Sequence, residues 1–293
     1  MAAVDSFELL YREIARSCNS CVETLAVVGA LYTASKAVIL VRDCYSFIRV
    51  HFLPRLMPST RLGHRFGEWA VIYGASEAIG KAYAEELARQ GICIILISKE
   101  GASVSDTAKA ISETHRVDTM VLVADFSQGH AACKPVKDAL RDKDIGFLVN
   151  CVDDSLRNSP NFTGLSEDLL WDVINRNIAA TTLMTRLVLP GMVERRRGAV
   201  AYLDNFSRAL HHEYGRQGIF VQSLIPFQVA PHGISAGGWL VPQSDVYAHH
   251  AISTLGISHR TTGYWPHTLQ FRLVQSMPEW IWVLGSRMLT SSC

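Results

Sequence analysis

The chain has 293 residues, with 28 Lys plus Arg against 27 Asp plus Glu and a formal charge of +1, which excludes the basic excess of a nucleic-acid binder. Hydrophobic residues make up 48% and charged residues 19%, below the usual charged share of about 25%, so disorder is excluded and a large core is within reach. Seven irregularly spaced Cys do not make a disulfide scaffold and fit a reducing compartment.

At about 150 residues per domain the length allows two domains, or one α/β domain with an extension. The N-terminal part reads as an extension. Cys18 and Cys21 form a C-x-x-C with no further ligands at zinc-motif spacing and no βαβ context, so they are two incidental thiols. Thr24 to Ser35 carries no charge, and Ala37 to Val41 continues the apolar run after Lys36. A span needs about 20 apolar residues, and Lys36 at its centre would cost roughly 2.5–3.5 kcal/mol. A basic flank comes next, Arg42, Arg49, Arg55, Arg61 and Arg65, with Asp43 the only acid before Glu68. Such a flank keeps its side in the cytosol or matrix. Asp5, Glu8 and Glu13 ahead of the run argue against a secretory signal peptide. Residues 1–65 therefore read as a helical membrane-anchor or targeting region; membrane association is expected and a true span disfavoured.

From residue 66 onward the pattern changes to alternating strands and helices. Trp69 to Tyr73 is a short apolar strand, followed by the turn Gly74, Ala75, Ser76, Glu77, Ala78, Ile79, Gly80 and a helical pattern from Lys81 to Arg89. Strand, Gly-rich turn and helix is the context in which a helix N-terminus receives a pyrophosphate. Gly91 closes the helix. Ile92 to Ile97 is a second strand ending at Lys99, whose cation suits a 2′-phosphate and hence NADP over NAD. A helix from about Ser103 to Thr114, a strand Thr119 to Ala124 ending at Asp125, a helix Ala131 to Leu140 and a strand Ile145 to Val149 ending at Asn150 complete the half. This alternation predicts an α/β doubly wound parallel sheet of Rossmann type, with Gly74, Lys99, Asp125 and Asn150 at the strands' carboxyl ends.

The segments Gly74-x-x-x-Ala78-Ile79-Gly80, Ala124-Asp125, Leu148-Val149-Asn150, Asn175-Arg176-Asn177 and Ile225-Pro226 resemble the short-chain dehydrogenase/reductase family over residues 66–293. The N-terminal apolar run, Ala82 to Leu87 and Val188 to Met192 are similar to its membrane-associated steroid and 3-ketoacyl reductase branch. The resemblance implies an NADP-dependent oxidoreductase acting through Asn, Ser, Tyr and Lys. The phenol protonates the carbonyl oxygen, the Lys lowers its pKa, the Ser binds the oxyanion and the Asn supports a water chain. Asn177 matches the Asn; the other three have no match. The family pattern puts a fifth strand, a loop and Tyr-x-x-x-Lys before a stretch like Ala201 to Arg208. Here Gly198-Ala199-Val200 runs directly into Ala201, so about twenty residues are missing, including the strand end that places the Ser. Tyr202 has Phe206 at i+4 and Tyr214 has Gly218, so neither shares a helical face with an ammonium. Tyr32-x-x-x-Lys36 precedes every nucleotide-binding strand and is coincidental.

The cofactor site has also drifted from the family pattern. Its middle turn Gly is Ala78, and Asn150-Cys151-Val152-Asp153 puts a carboxylate where a phosphate-bearing ligand would be repelled. Just after the strand Ile219 to Pro226, the Thr expected of the family is Ala230. NADP(H) binding is therefore expected to be weak or lost. Val246 to Leu255 reads as a helix, on which His249 and His250 diverge and make a poor metal pair; no metal site is expected. Trp265, Trp280 and Trp282 lie in an apolar tail, as core residues or as an interfacial belt.

Three functions remain open: a catalytically inactive protein with a degenerate NADP-binding fold acting by interaction, an NADPH-dependent reductase of ketosteroids or 3-ketoacyl chains using another acid, and an unstable truncated isoform. A protein partner is expected; a steroid or acyl-chain ligand and a homodimer are compatible with the resemblance, which also favours mitochondria over the endoplasmic reticulum membrane. For the shortened junction, Ala199 to Leu203 is expected to serve as a surrogate fifth strand, with Asp204 as N-cap of a helix carrying Phe206, Leu210 and Tyr214. The alternative leaves the central slot empty and strands unpaired backbone groups on both sides.

Overall fold

The structure is a computed structural model, and it describes residues 2–56, 62–76, 78–99, 101–126, 130–151, 164–202, 204–231, 238–278 and 281. The chain divides into two compact units, Met1–Phe52 and Leu53–Cys293.

The first unit is one helix, α1 (Ala2–His51). Among the described residues it is the one helix long and apolar enough to cross a membrane, with mean hydropathy 1.8 within Leu9–His51. Cys18 and Cys21 are exposed free thiols on it.

The second unit starts with two short helices, α2 (Leu53–Leu56) and α3 (Leu62–Phe66). Leu62 and Phe66 are buried in the core of this unit. The contact boundary between the two units thus falls after Phe52, inside the stretch of residues 1–65 expected to be the anchor or targeting region.

The alternation then runs as β1 (Trp69–Tyr73), α4 (Ala78–Arg89), β2 (Cys93–Ser98), α5 (Gly101–His115), β3 (Thr119–Val123), α6 (His130–Leu140) and β4 (Ile145–Asn150). Next come α7 (Glu167–Ile174), a π-helical turn at Asn175–Ala179, α8 (Ala180–Arg195), β5 (Gly198–Tyr202) and α9 (Asp204–Tyr214). The chain closes with β6 (Ile219–Leu224), α10 (Ser244–Ser253), β7 (Arg260–Thr261) and α11 (Trp265–Ser276). The seven strands form one sheet in the order β3-β2-β1-β4-β5-β6-β7, and every pairing is parallel.

Strands of such a sheet are covered on both faces, so they read as apolar runs rather than alternations. Ile94 and Leu96 of β2 enter one core cluster with Leu87 and Ile111; Ile95 and Ile97 enter the other with Val136 and Met184. The buried Glu86 carboxylate accepts from Arg89 on the same helix at 2.6 Å and ties α4 to α10 by contacting His249 Nδ1 at 3.2 Å. His250 Nδ1 pairs with Arg55. These two histidines thus serve packing contacts, and no cluster of metal-ligating side chains exists among the described residues.

The junction behaves as a strand. β5 pairs Ala199, Val200 and Ala201 with Phe147, Leu148 and Val149 of β4, and all five of its residues with Ile219 to Ser223 of β6. The central slot is filled, so the strand is shortened and not missing. Ala199 faces one core cluster and Val200 the other. Satisfying the ladders of β4 and β6 outweighs the loss of length. The expected bounds shift by one residue, and Leu203 lies outside the described residues. α9 starts at Asp204 itself, one residue earlier than a cap at that position implies, and the Asp204 side chain lies outside the described residues.

Candidate functional site

The carboxyl edge of the sheet gathers the candidate residues. β1 ends at Tyr73 and the chain turns through Gly74, Ala75 and Ser76 into α4. Gly74 has φ +79°, and a Cβ there would lie 2.6 Å from the Cys151 carbonyl oxygen. A Cβ on Gly80 would lie 2.6 Å from the Gly74 carbonyl oxygen. Both glycines are therefore demanded by backbone packing of the turn against α4 and the exit of β4. The Gly74 and Ala75 amides donate to the Ile97 carbonyl at 3.1 and 3.4 Å, so the turn is held to β2 while the N-terminus of α4 stays available. That helix has no acid in its first turn, which suits an approaching anion. Ala78 is its first residue, half-buried, and Ile79 packs against the core. Glu77 and Asp153 lie outside the described residues.

Lys99, Asp125 and Asn150 all reach this edge; Lys99 and Asp125 meet there, while Asn150 turns to Thr185 of α8. The Lys99 ammonium is 3.6 Å from the Asp125 carboxylate and 4.0 Å from that of Asp172. Asp172 also pairs with Arg176, one turn away on α7 and the π-helical turn. The result is a balanced four-charge cluster, and a 2′-phosphate would have to compete with two carboxylates for Lys99. The Asp172–Arg176 pair, missed by sequence reasoning, was readable as an i,i+4 ion pair.

Asn150 is buried. Its Nδ2 donates to Thr185 Oγ1 of α8 at 3.4 Å, and its Oδ1 has no partner among the described residues. An orphaned buried acceptor at a strand's carboxyl end suits a hydroxyl-bearing ligand such as a ribose. Nothing in the sequence marked Thr185, because the contact spans 35 residues. Asn177 is buried in the π-helical turn, and its carbonyl accepts from Thr181 Oγ1 at 2.7 Å. Such wide turns recur at functional sites.

The catalytic half of the edge is different. Only residue 203 separates β5 from α9, so no loop or helical turn is left to present a Ser or a Tyr-x-x-x-Lys pair. The described face of α9 is committed to packing, with Leu210 in the core and Phe206 and Tyr214 against it. Ser207, buried, donates to the Gln222 carbonyl at 3.4 Å. Two other phenols lie deep in the unit, Tyr83 and Tyr247. Burial raises the pKa of both, Tyr83 further through Tyr247 and Cys151, and Tyr247 further through Cys151. Phenols shifted in that direction are poor proton donors at neutral pH. At the segment after β6, Ala230 is buried and forms an isolated parallel bridge with Gln243.

The described residues of the β1–α4 turn, the start of α4 and Asn150 thus fit a dinucleotide's pyrophosphate and a ribose.

The chain matches the family model described as short chain dehydrogenase over residues 68–203. It is 61% identical to inactive hydroxysteroid dehydrogenase-like protein 1 of Danio rerio, over 99% of each chain. It is 53% identical to the Homo sapiens protein of that name, over 100% of this chain and 97% of the relative. It is 35% identical to the very-long-chain 3-oxoacyl-CoA reductase of Mus musculus, over 87% and 90%. An alignment of 316 positions takes at most 293 from this chain, so at least 23 positions of the Danio rerio protein have no counterpart here. Among solved structures, one of a 7β-hydroxysteroid dehydrogenase superposes with a TM-score of 0.64 at 19% identity, covering 74% of this chain and 95% of that one. A short-chain dehydrogenase from Sphingobium yanoikuyae in complex with NADPH superposes at 0.53 with 24% identity, covering 63% and 82%.

Proposed function

Because the chain belongs to the short-chain dehydrogenase/reductase family, we propose that it is a catalytically inactive, hydroxysteroid dehydrogenase-like member whose nucleotide fold serves interaction rather than turnover. The observation that carries this reading is the direct passage from β5 into α9, with one residue between Tyr202 and Asp204. A carbonyl reductase needs a positioned acid, an oxyanion donor and a ribose anchor together. General acid catalysis alone is worth about 10²–10⁴ in rate. The name "inactive" carried by the relatives supports the same reading.

NADP(H), when bound, supplies a hydride to a carbonyl. In this chain Gly74, Ala75, Ser76, Ile79 and Gly80 with the start of α4 would hold its pyrophosphate, and Asn150 would accept a hydrogen bond from a ribose hydroxyl. The pairing of Lys99 with Asp125 and Asp172, and the Ala78 methyl in the turn, weaken the grip. A reductase using another acid is disfavoured because the buried phenols of Tyr83 and Tyr247 hold their protons too tightly. The apolar α1 and its basic flank support attachment to a membrane-bounded organelle, and the family resemblance favours mitochondria over the endoplasmic reticulum. A reporter fused to residues 1–65 that stayed diffuse in the cytosol would end that part of the proposal.

The central test measures NADPH oxidation by the full-length chain with a panel of ketosteroids and 3-ketoacyl thioesters. No turnover above the protein-free rate is expected. Turnover abolished by Tyr202→Phe would overturn the reading. A thermal melt in parallel, showing one cooperative transition with little shift on adding NADPH, separates an inactive folded protein from an unstable one.

A further inference from the structure

The helix α11 turns one apolar face outward. Trp265, Leu269, Arg272, Leu273 and Ser276 fall at i, i+4, i+7, i+8 and i+11, one helical face about 16 Å long at 1.5 Å per residue. Leu269 is 43% exposed and Leu273 57%. Beside the head of the helix, Trp239 is 58% exposed, and its ring lies 5.7 Å from that of Trp265. Trp239 is held in place there. Its carbonyl accepts from the Tyr264 hydroxyl at 3.2 Å, and the next carbonyl, that of Leu240, accepts from His267 Nε2 at 3.1 Å. Exposed apolar side chains are ordinary singly, but gathered on one face they mark a contact surface.

The chemistry of this face fits a bilayer surface. From Val246 to Pro278 the chain carries no Asp or Glu, while Arg260 and Arg272 remain. A negative surface therefore meets no repelling carboxylate from this stretch. Indole rings favour the headgroup level, with the ring body toward the acyl chains and the N–H toward water. Arg272 stands between Leu269 and Leu273 on the face. Its stem lies along apolar surface while the guanidinium reaches for a phosphate. A second copy of the chain is a poorer occupant, because a two-fold contact centred here sets Arg272 against Arg272. The α/β unit begins at Leu53, two residues after α1 ends at His51, so a membrane that holds α1 stays within reach of the unit.

We propose that the α11 face, made by Trp239, Trp265, Leu269, Arg272 and Leu273, docks on a bilayer surface that carries anionic phospholipid, with the indoles and leucines at the boundary between headgroups and acyl chains. A helix of this kind lies in the plane of the surface, and its binding adds the burial of apolar area to the attraction of its cations for anionic lipid. The contact also fixes which way the unit turns, which a single tether at Leu53 leaves open. The proposal rests on the reading that α1 attaches the chain to a membrane, and it adds a second contact that can fail separately.

The test uses the full-length chain with vesicles of phosphatidylcholine mixed with phosphatidylglycerol. A dansyl-bearing amino acid is incorporated in place of Leu273 and, as the control, in place of Val123, which is 64% exposed on the edge strand β3. Flotation on a density gradient reports attachment through α1, and the dansyl emission reports contact of the face. On vesicles the probe at 273 should shift to the blue, and bromine on the acyl chains should quench about half of its emission or more. The probe at 123 should show neither effect. Leu269→Glu, at an exposed site, should remove the shift at 273 while the chain still floats. Vesicles of phosphatidylcholine alone should give a smaller shift. The proposal alone is overturned if the chain floats with the probe at 273 unshifted, if Leu269→Glu leaves the shift in place, or if the shift is as large on phosphatidylcholine alone. A shift that bromine does not quench also overturns it, as the mark of a second copy over the face. A chain that does not float overturns the attachment reading and this proposal with it.

Discussion

The β1–α4 turn and the β5–α9 junction sit on the same carboxyl edge, with β4 between their strands, and have met opposite fates. The turn keeps its close backbone contacts, with Gly74 against Cys151 and Gly80 against Gly74. The junction keeps its strand and passes into α9 with one residue between them, so on the proposed reading it has no room for side-chain chemistry. Nucleotide-turn geometry is mostly backbone and is built into the way α4 packs, so losing it would cost the fold. Acid, oxyanion donor and ribose anchor are side chains of one stretch outside the core. A stretch can therefore go while the sheet closes over the gap, because five residues suffice to pair with β4 and β6.

The comparison breaks most sharply at Val200. Val200→Pro removes a ladder hydrogen bond from a central strand, and a loss of at least about 3 kcal/mol is expected, seen as disappearance of the cooperative melt by circular dichroism. A variant that melted normally would mean that β5 is dispensable and the sheet splits without harm. At the turn, Gly80→Ala drives a methyl toward the Gly74 carbonyl, with an expected cost of about 1–3 kcal/mol, or roughly 2–4 °C per kcal/mol for a unit of this size. An unchanged melting temperature would show that the turn is kept for reasons other than packing.

The junction side also has a pH signature. His211 of α9 stacks on His259 with ring centroids 3.7 Å apart. Burial, then the neighbouring His259 and His212, hold its pKa below the ordinary histidine value. With the folded pKa depressed, the stability it contributes is full above the unfolded value near 6.5 and is lost as pH falls through the folded value. The melting temperature should therefore decline on acidification below about pH 6.5, and His211→Asn should flatten that decline. A parent chain whose stability is level between about pH 7 and 5 would refute this. The smallest effect belongs to the turn side. Asp172→Asn removes one of the two carboxylates near Lys99 and should tighten NADPH severalfold in a fluorescence titration, with stability moved by less than about 1 kcal/mol. NADPH affinity unaffected by the change would show that Lys99 does not meet the cofactor.

Much of the fold was legible from local pattern. Trp69 to Tyr73 is a strand as bounded in the sequence, and the elements as far as β4 fall within a few residues of their expected limits, because apolar runs of strand length separated by amphipathic helices have few ways to fold. The extension was harder to bound. Leu62 and Phe66 belong to a core that the chain reaches only once β4 and β5 are assembled, and no local signal marks that. At the candidate site, Gly74, Lys99, Asp125 and Asn150 were found by their place after strands, while their partners were not. Thr185 meets Asn150 across 35 residues, and Asp172 meets Lys99 from a helix far along the chain, held there by Arg176.

Sequence alone determined that this protein has a parallel doubly wound sheet with a Gly-rich turn after its first strand, and that Ser and Tyr-x-x-x-Lys have no place in it. Those are statements about order and presence, which a chain carries along its length. Tertiary structure alone decided that Gly198 to Tyr202 occupies the central slot, that Lys99 is shared between two carboxylates, and that Trp239 meets Trp265 at the head of an exposed apolar face of α11. Each of these is a competition between distant groups for pairing, charge or space, and it is settled only when the sheet brings them together.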